Sequence, residues 1–421
     1  MRILLIHNYY GDYARGGEGN VFEQEAKMLE EHGHTVRKFS CTNAQVKEYS
    51  LIDKIKFFRD LAWSRSSYDL IKREILDFQP DIMHVHNFFL VLSPSIFRAA
   101  KDCKVPVAVS CHNYGLATAC GMYLTKGKTC ERCVNKNPWR LIAHRCYNNS
   151  LLLSLARYRM FYLSRKKHNW TETIYGFIVS TQFAVKKHIE TGIPAERIYI
   201  KPNFIEDVQQ EDLPDEIETE PGQAGALYIG RLSREKGIET LLKSWENIDF
   251  PLTIIGYGPM KGLIRKARNK NIRYLGLVTK ETLIRELGRA AFVVFPSVCY
   301  EAFPLVLVES LSAGKCVAAS NIGAMAEIIE PGRTGVLFEA GSAGDMREKV
   351  KFLINNPEPA FRMGQAAREK FLGCYTKEIV YSKLINIYED ILGRYRTTHR
   401  DNCEAEFETA SSVAVSEGMV S

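Results

Sequence analysis

Short apolar runs alternate with amphipathic segments along most of this chain. In the first half, the runs predict strands at Ile3–Ile6, Asp81–Val85, Val105–Val109, Ile174–Val179 and Ile198–Ile200. A second series begins at Ala226, with strands near Leu227–Ile229, Leu252–Ile255, Ile272–Leu275, Phe292–Phe295 and Val317–Ala319. Segments of helical period separate these strands. Because parallel strands need crossover helices, the repeats predict two parallel sheets in an α/β protein, each covered on both faces.

The two series predict two doubly wound, Rossmann-like domains that face a central cleft, with ligands at the carboxyl ends of the strands. The expected boundaries are a first domain at 1–205 with a cysteine-rich insert at 115–150, an acidic linker at 206–225, a second domain at 226–374, a C-terminal helix at 375–397 that packs back on the first domain, and a disordered tail at 398–421. The tail is assigned from its polar, acidic composition.

Composition narrows the classes of function. The 421 residues are 46% hydrophobic, and 56 basic against 49 acidic side chains give a net charge of +7. This small excess fits an anionic substrate or a membrane surface and does not indicate nucleic acid. The apolar runs are much shorter than the ~20 residues that span a bilayer, and Met1–His7 lacks the features of a signal peptide. We therefore expect a cytoplasmic protein, at most at the inner face of the plasma membrane, with reduced thiols.

Charged residues follow one predicted strand of the second half. Gly230 and Arg231 come directly after the strand, and Lys236 opens the next helix. An arginine fork and a lysine point charge beside a helix N-terminus suit a phosphate or diphosphate. A solvated basic loop is the alternative.

A second charged segment, Glu301–Glu309, follows another buried-type strand. Pro304 suits the first turn of a helix, where its missing N–H is not needed. The N–H groups of Phe303, Leu305 and Val306 are then available to an anion. Helix capping and ordinary ion pairing are the alternatives for the two glutamates.

These motifs, in this order, resemble the retaining family 4 glycosyltransferases of the GT-B fold. The likeness rests on Gly-Arg-Leu-x3-Lys-Gly from Gly230 and, about 65 residues later, Glu-x7-Glu from Glu301. Further matching segments are Gly16-Gly17, Ser110–Asn113, Lys201–Asn203 and Ala318–Gly323 followed by Glu327. The matches run from the first residues to about residue 395.

The resemblance implies that the first domain is the acceptor side and the second the nucleotide-sugar donor side. It also implies a role for each matched residue of the second half. Arg231 and Lys236 would bind the nucleotide diphosphate, Glu301 would contact hydroxyls of the donor sugar, and Glu309 would bind the ribose. The implied donor-binding set is Gly16, Gly17, Gly230, Arg231, Lys236, Glu301, Phe303, Pro304, Leu305 and Glu309, and the implied catalytic set is His112, Glu301, Arg231 and Lys236.

The first half contributes three of these residues. Gly16 and Gly17 would form a loop against the donor phosphates and the acceptor, and His112 would reach the donor sugar from the opposite domain. From the residues alone, a structural role is the simpler interpretation of His112.

The implied reaction moves a hexose from a UDP- or GDP-sugar to a glycan or lipid-linked acceptor, with retained configuration, in cell-surface polysaccharide synthesis. The sequence contains no Asp-x-Asp pair, so we expect a cationic clamp and no cofactor or Mg²⁺ requirement in catalysis. One alternative is a sugar-nucleotide epimerase or phosphorylase on the same fold. The other is a zinc-stabilised nucleic-acid-binding protein, which the absence of an RNA-reading or helix-turn-helix motif disfavours.

Four cysteines share the insert: Cys120, Cys130, Cys133 and Cys146, spaced C-x9-C-x2-C-x12-C. In a segment without helical periodicity, this spacing favours a tetrahedral structural zinc site, and free thiols or redox bridges are the alternatives.

The following stretch, residues 157–170, mixes basic and aromatic side chains. Contact with an anionic membrane and a normal solvated helix face are equally compatible with that pattern.

Overall fold

The computed structural model describes residues 1–11, 17–44, 50, 58, 60–89, 91–125, 127–134, 136–147, 149–163, 170–208, 224–267 and 269–417. The chain forms two compact units. One comprises residues 1–110, 163–178 and 381–421, and the other comprises residues 111–162 and 179–380.

Strands and helices alternate through both units. The strands are β1 (Arg2–Tyr9), β2 (Thr35–Thr42), β3 (Ile82–Asn87), β4 (Val107–Ser110), β5 (Leu124–Thr125), β6 (Lys128–Thr129), β7 (Ile174–Val179), β8 (Ile198–Ile200), β9 (Ala226–Ile229), β10 (Leu252–Ile255), β11 (Ile272–Gly276), β12 (Phe292–Phe295), β13 (Val317–Ser320) and β14 (Gly335–Phe338). The helices are α1 (Gly17–Glu31), α2 (Arg65–Phe78), α3 (Ser95–Asp102), α4 (Arg140–Ala143), α5 (Leu151–Tyr158), α6 (Gln182–Ile189), α7 (Ile238–Trp245), α8 (Lys261–Lys266), α9 (Lys280–Arg289), α10 (Leu305–Ser312), α11 (Gly323–Ile328), α12 (Ala343–Asn355), α13 (Pro357–Cys374) and α14 (Lys377–Glu417).

The first sheet has the strand order β2-β1-β3-β4-β7-β8 in the described part of the chain. Strands β2 and β3 both run parallel to β1, and Ile3 aligns with Val36 on one side and with Ile82 on the other. The side chains of Ile3–Ile6 are completely buried, because a central parallel strand is covered by helices on both faces. This explains why β1 is an uninterrupted apolar run.

The C-terminal helix α14 packs within the first unit. The Tyr381 ring stacks on His32 with 3.6 Å between ring centres, and the buried Tyr388 hydroxyl lies 2.7 Å from His84 Nδ1 on β3. The helix continues to Glu417, whereas disorder was expected from residue 398. Ala and Glu recur in this stretch, and both favour helix.

The second sheet has the order β11-β10-β9-β12-β13-β14 over the residues described. Side chains of alternate residues enter two apolar clusters, one on each face. Leu227 and Val293 belong to one cluster, and Tyr228 and Val294 belong to the other. The strand order reverses between β9 and β12, which makes their carboxyl ends the expected ligand site of this doubly wound sheet.

The boundaries of the compact units differ from the predicted domains. Residues 111–162 and 179–205 belong to the compact unit that contains the second sheet, although β8 of this stretch is a strand of the first sheet and 1–205 was expected to form one domain. Aromatic contacts explain part of this grouping, since both Tyr123 and Phe183 pack on Tyr300. Most of the predicted linker, residues 209–223, lies outside the described residues. No helix in the described ranges is long and apolar enough to cross a bilayer.

Candidate functional site

The segments after β9 and β12 meet at the point where the second sheet reverses its order. Lys236 Nζ donates to Glu301 Oε1 at 2.7 Å. The hydroxyl of Ser297, which also follows β12, donates to the same oxygen at 2.7 Å. The structure therefore brings together Lys236 and Glu301, the two charged residues that the sequence placed in separate motifs.

The environment of this pair sets its charges. Burial by itself lowers the pKa of Lys236, but the negative charge of Glu301 outweighs it, so the pKa is raised and the ammonium group is retained. Burial and the neighbouring Glu301 raise the pKa of Cys299 to about 12, so Cys299 is a thiol near neutral pH. The site thus holds one ammonium and one carboxylate joined at Glu301 Oε1.

The turn that carries Lys236 requires a glycine. Residues Arg234–Lys236 form one turn of 3-10 helix, and Gly237 follows with φ of +72°. A Cβ atom on Gly237 would lie 1.8 Å from the carbonyl oxygen of Pro296. Only glycine allows the turn after β9 to pack this closely on the segment after β12.

Arg231 lies at the start of the same turn with its side chain exposed. The Tyr228 hydroxyl donates to the Arg231 carbonyl oxygen at 3.0 Å, and the Gly230 N–H donates to Ile255 at 3.0 Å. The backbone is thus fixed while the guanidinium faces solvent, an arrangement that suits capture of an anion.

Helix α10 places the second glutamate. It begins at Leu305, and Pro304 is the residue before it rather than its first residue. The side chains of Phe303 and Leu305 are half-buried and pack against the core. Glu309 is half-buried within the helix, and burial raises its pKa while the charge of Lys280 opposes that rise.

The three site residues predicted in the first half of the chain differ in where the structure places them. Gly16 lies outside the described residues, and Gly17 is the exposed first residue of α1 in the first unit. His112 is half-buried in the second unit. Two residues later, the buried Tyr114 donates its hydroxyl hydrogen to the carbonyl oxygen of Glu301 at 3.3 Å, which connects the His112 segment to the Glu301 segment.

Sequence reasoning missed Ser297, and it gave no structural role to Glu327, which it named only as part of a matched family segment. Ser297 lacked any motif, although a hydroxyl directly after a buried strand was a usable signal. Glu327 accepts N–H bonds from Gln182 and Phe183 at 2.8 and 3.0 Å. It therefore caps helix α6, and Thr181 caps the same helix through Ala184.

The four insert cysteines are half-buried and carry no disulfide. Strands β5 and β6 form an antiparallel hairpin directly before Cys130, and the Cys130 N–H donates to Tyr123 at 2.7 Å. Burial, followed by the three other thiols, raises the pKa of Cys133 to about 11. Among the described residues, a group of three donors within 4.8 Å of one another forms at Glu25, His84 and His86, and the insert cysteines form no such group.

The basic segment is partly internal. Arg157 is buried, and its guanidinium donates to the carbonyl oxygens of Ala119 and Gly115 at 2.9 and 3.2 Å. The prediction of a membrane-facing cation is therefore wrong for Arg157, because two backbone carbonyl groups of the insert accept hydrogen bonds from its buried guanidinium. Residues 164–169 lie outside the described part.

Comparison with known proteins identifies the family. The profile "Glycosyltransferase Family 4" matches residues 15–209 and "Glycosyl transferases group 1" matches residues 209–370. A phosphatidyl-myo-inositol mannosyltransferase of Mycobacterium leprae is 24% identical over 93% of this chain and 97% of its own length. A glycogen synthase of Mycobacterium tuberculosis is 30% identical over 40% of this chain.

The chain spans about half the length, or less, of other curated relatives that it matches: 48% of an uncharacterised glycosyltransferase of Methanocaldococcus jannaschii and 42% of the glycogen synthase. Among solved structures, a sucrose-phosphate synthase of Thermosynechococcus elongatus aligns with a TM-score of 0.68 at 17% identity, over 93% of this chain and 99% of that one. HepE of Anabaena in complex with UDP aligns with a TM-score of 0.64 at 15% identity, over 93% and 100%. With two Rossmann-like parallel sheets in the GT-B fold and both profiles matched, the chain belongs to the group 1, family 4 glycosyltransferases.

Proposed function

We propose that the protein transfers a hexose from a nucleotide-diphosphate sugar to a glycan or lipid-linked acceptor. The observation that carries the proposal is the Lys236–Glu301 pair at the strand-order reversal, with Arg231 exposed on the same turn. A cation pair beside a carboxylate suits a ligand with a diphosphate at one end and sugar hydroxyls at the other. The names of several relatives, which include a mannosyltransferase, support this class of reaction.

The proposed mechanism places charge where the leaving group develops it. As the bond from the sugar to the diphosphate breaks, negative charge grows on the phosphate oxygens. Arg231 and Lys236 would stabilise that charge more in the transition state than in the bound substrate, which lowers the barrier. Glu301 would hold sugar hydroxyls and Glu309 the ribose. In this scheme the chain's own cations replace a Mg²⁺ ion.

Two finer points belong to the same proposal. The family resemblance favours retention of configuration at the anomeric carbon, with His112 close to the donor sugar. It also favours UDP or GDP as the leaving group and an acceptor in cell-surface polysaccharide synthesis. HepE, of the same fold, was solved in complex with UDP, which makes UDP-sugars the first donors to test.

The test is a panel of UDP- and GDP-hexoses incubated with and without candidate acceptors. We expect nucleotide release with an acceptor and its loss in Arg231→Ala. The control is Arg234→Ala, which removes an exposed arginine three residues away that pairs with Glu239 on the surface. Conversion of the donor without an acceptor, or dependence on free phosphate, would contradict the proposal in favour of an epimerase or phosphorylase. Salt-dependent nucleic-acid binding that survives Arg231→Ala would indicate a different class of protein.

We also propose that Cys120, Cys130, Cys133 and Cys146 bind one structural zinc ion. The donors fit this ion because cysteine thiolates are among its preferred ligands, and a hairpin followed by C-x2-C is a compact way to present two of them. Since the sulfurs form no three-donor group within 4.8 Å in the described residues, binding would draw the ends of the insert together.

Metal analysis of purified protein tests this assignment. We expect about one zinc per chain, lost in Cys130→Ser and kept in the control Cys374→Ser, a half-buried thiol outside the insert. A fully active, metal-free preparation would contradict it.

A membrane contact is proposed for the start of helix α5. Leu151, Leu152 and Leu155 are exposed there, and Trp139 is 56% exposed beside Arg140. Exposed apolar side chains beside basic ones suit an anionic lipid surface. Co-sedimentation with anionic vesicles should fall in Leu151→Ser/Leu152→Ser and remain unchanged in Leu76→Ser, an exposed leucine on α2. Equal sedimentation of both variants would refute this contact.

A further inference from the structure

A nearly buried lysine lies beside the candidate site, surrounded by aromatic rings. Lys187 Nζ is 5.8, 5.6 and 5.7 Å from the ring centres of Tyr123, Phe183 and Tyr300. It donates to Glu131 at 2.8 Å and to Glu190 at 2.9 Å, with 7% of its side chain exposed. An ammonium so enclosed needs both rings and carboxylates to offset its lost hydration.

Glu131 connects this lysine to the Glu301 segment. Its Oε1 atom accepts from Lys187 and also from the Tyr300 hydroxyl, at 2.9 Å. Tyr300 is the residue directly before Glu301. Glu131 lies between Cys130 and Cys133, so a carboxylate from the cysteine insert holds the residue next to the proposed sugar-binding carboxylate.

A second contact fixes the same segment from the other side. The Tyr114 hydroxyl donates to the Glu301 carbonyl oxygen at 3.3 Å. Tyr114 packs against Tyr123 with 5.1 Å between ring centres, and Tyr123 packs against Tyr300 at 5.8 Å. The Glu301 carbonyl group and the side chain of the preceding Tyr300 are therefore held by residues that none of the family motifs contains.

Helix α6, which carries Lys187, is oriented by the second sheet. The Glu327 carboxylate, next to the last residue of helix α11, accepts the N–H groups of Gln182 and Phe183 at the start of α6. This anchor fixes where the Lys187 ammonium can reach. With Lys187 held there, Glu131 Oε1 accepts from both the ammonium group and the Tyr300 hydroxyl.

We propose that Glu131 is a positioning residue for the donor site, acting through Tyr300 to set the orientation of the Glu301 carboxylate toward the sugar. This inference rests on the proposed function, since it assumes that Glu301 contacts the donor sugar. It assigns the cysteine insert a part in recognising the sugar, separate from the diphosphate clamp at Arg231. It predicts that disturbing Glu131 alters how the sugar is bound while leaving the nucleoside diphosphate bound as before.

The test compares Glu131→Ala, Tyr300→Phe and their double variant. Tyr300→Phe removes the hydroxyl and keeps the ring. Each single change should lower kcat/KM for the active nucleotide sugar about tenfold, the order of one hydrogen bond to a charged group. The double variant should be no worse than either single one, because both break one contact. The dissociation constant for the matching nucleoside diphosphate should stay within about twofold of the unmutated protein, since one lost contact outside its site leaves the clamp intact.

The matched control is Glu190→Ala. Glu190 also pairs with Lys187, and no contact joins its carboxylate to the Tyr300 hydroxyl among the hydrogen bonds described. We expect its transfer activity to be unchanged, with thermal unfolding of all variants measured alongside.

The positioning role would be overturned by an equal loss in Glu190→Ala, by additive losses in the double variant, or by parallel weakening of nucleoside diphosphate binding. Turnover by the unmutated protein with unaffected variants would refute the positioning role alone. Absence of turnover by the unmutated protein across the whole UDP- and GDP-hexose panel would refute both it and the proposed function.

Discussion

Replacing Lys236 by Met removes the ammonium group that lies 2.7 Å from Glu301 and keeps a side chain of similar length. The two side chains are 26% and 15% exposed. Exposed ion pairs contribute about 0–1 kcal/mol, and breaking a fully buried pair costs about 3–5 kcal/mol. The Ser297 hydroxyl remains bonded to Glu301. We therefore expect the free energy of unfolding to fall by about 2 kcal/mol, between these limits.

The chain offers a matched control for this loss of stability. Lys370 Nζ lies 2.7 Å from Glu330 in the same unit, with side chains 12% and 37% exposed. Arg333 also pairs with Glu330 at 2.8 Å, much as Ser297 supports Glu301. Lys370→Met should therefore destabilise the protein by a similar amount, while its transfer activity remains unchanged at temperatures where the variant is folded.

Transfer activity separates the two variants. If Lys236 stabilises the leaving diphosphate, its removal should lower kcat by about 10²–10³-fold, the cost of losing one preorganised donor to developing charge. Nucleotide release in an acceptor-dependent assay, with urea unfolding in parallel, measures both quantities. Equal kcat in Lys236→Met and Lys370→Met, at equal loss of stability, would show that Lys236 only stabilises the fold.

Three further predictions concern other groups. Tyr388→Phe removes a buried hydroxyl 2.7 Å from His84 Nδ1, so urea denaturation should show a loss of about 1–2 kcal/mol; no loss would refute a role for this contact in fixing α14. Burial lowers the pKa of Lys315 to about 8 from 10.5, and the unfolded chain therefore binds the proton more strongly. Stability should rise between about pH 8 and 10.5, and Lys315→Met should remove that rise; identical pH profiles would refute it. Transfer should continue after Mg²⁺ is omitted and EDTA is added briefly. Loss restored by Mg²⁺ would contradict the cationic clamp, whereas loss restored by Zn²⁺ alone would indicate the insert.

The strands of the second sheet could be predicted closely from the sequence. The predicted strands at Leu252–Ile255 and Phe292–Phe295 have the bounds that the structure gives, because a central strand buried on both faces is an apolar run. Strand β2, Thr35–Thr42, was missed. It lies at the edge of its sheet, and its side chains are mostly exposed or half-buried, so it carries no apolar run to detect.

The candidate site shows the same division between local and long-range information. The pairing of Lys236 with Glu301 follows from strand order, since both residues lie in loops after neighbouring strands. The contact of Glu131 with Tyr300 joins an irregular insert to the loop between β12 and α10, and no periodicity in the sequence predicts it. Arg157 was interpreted from its basic neighbours, but its two backbone acceptors in the insert are visible only in the folded chain.

The Glu301 carboxylate and its backbone are therefore fixed by different parts of the chain. Lys236 and Ser297 hold the carboxylate from within the doubly wound sheet. Tyr114 and Glu131 hold the flanking backbone and side chain from outside it. Among the hydrogen bonds described, Tyr114 and Glu131 contact neither Arg231 nor Glu309. Changes in the insert can therefore alter the orientation of Glu301 while the residues proposed to bind the nucleotide stay in place. On this arrangement, we expect sugar selection and nucleotide affinity to respond separately to mutation.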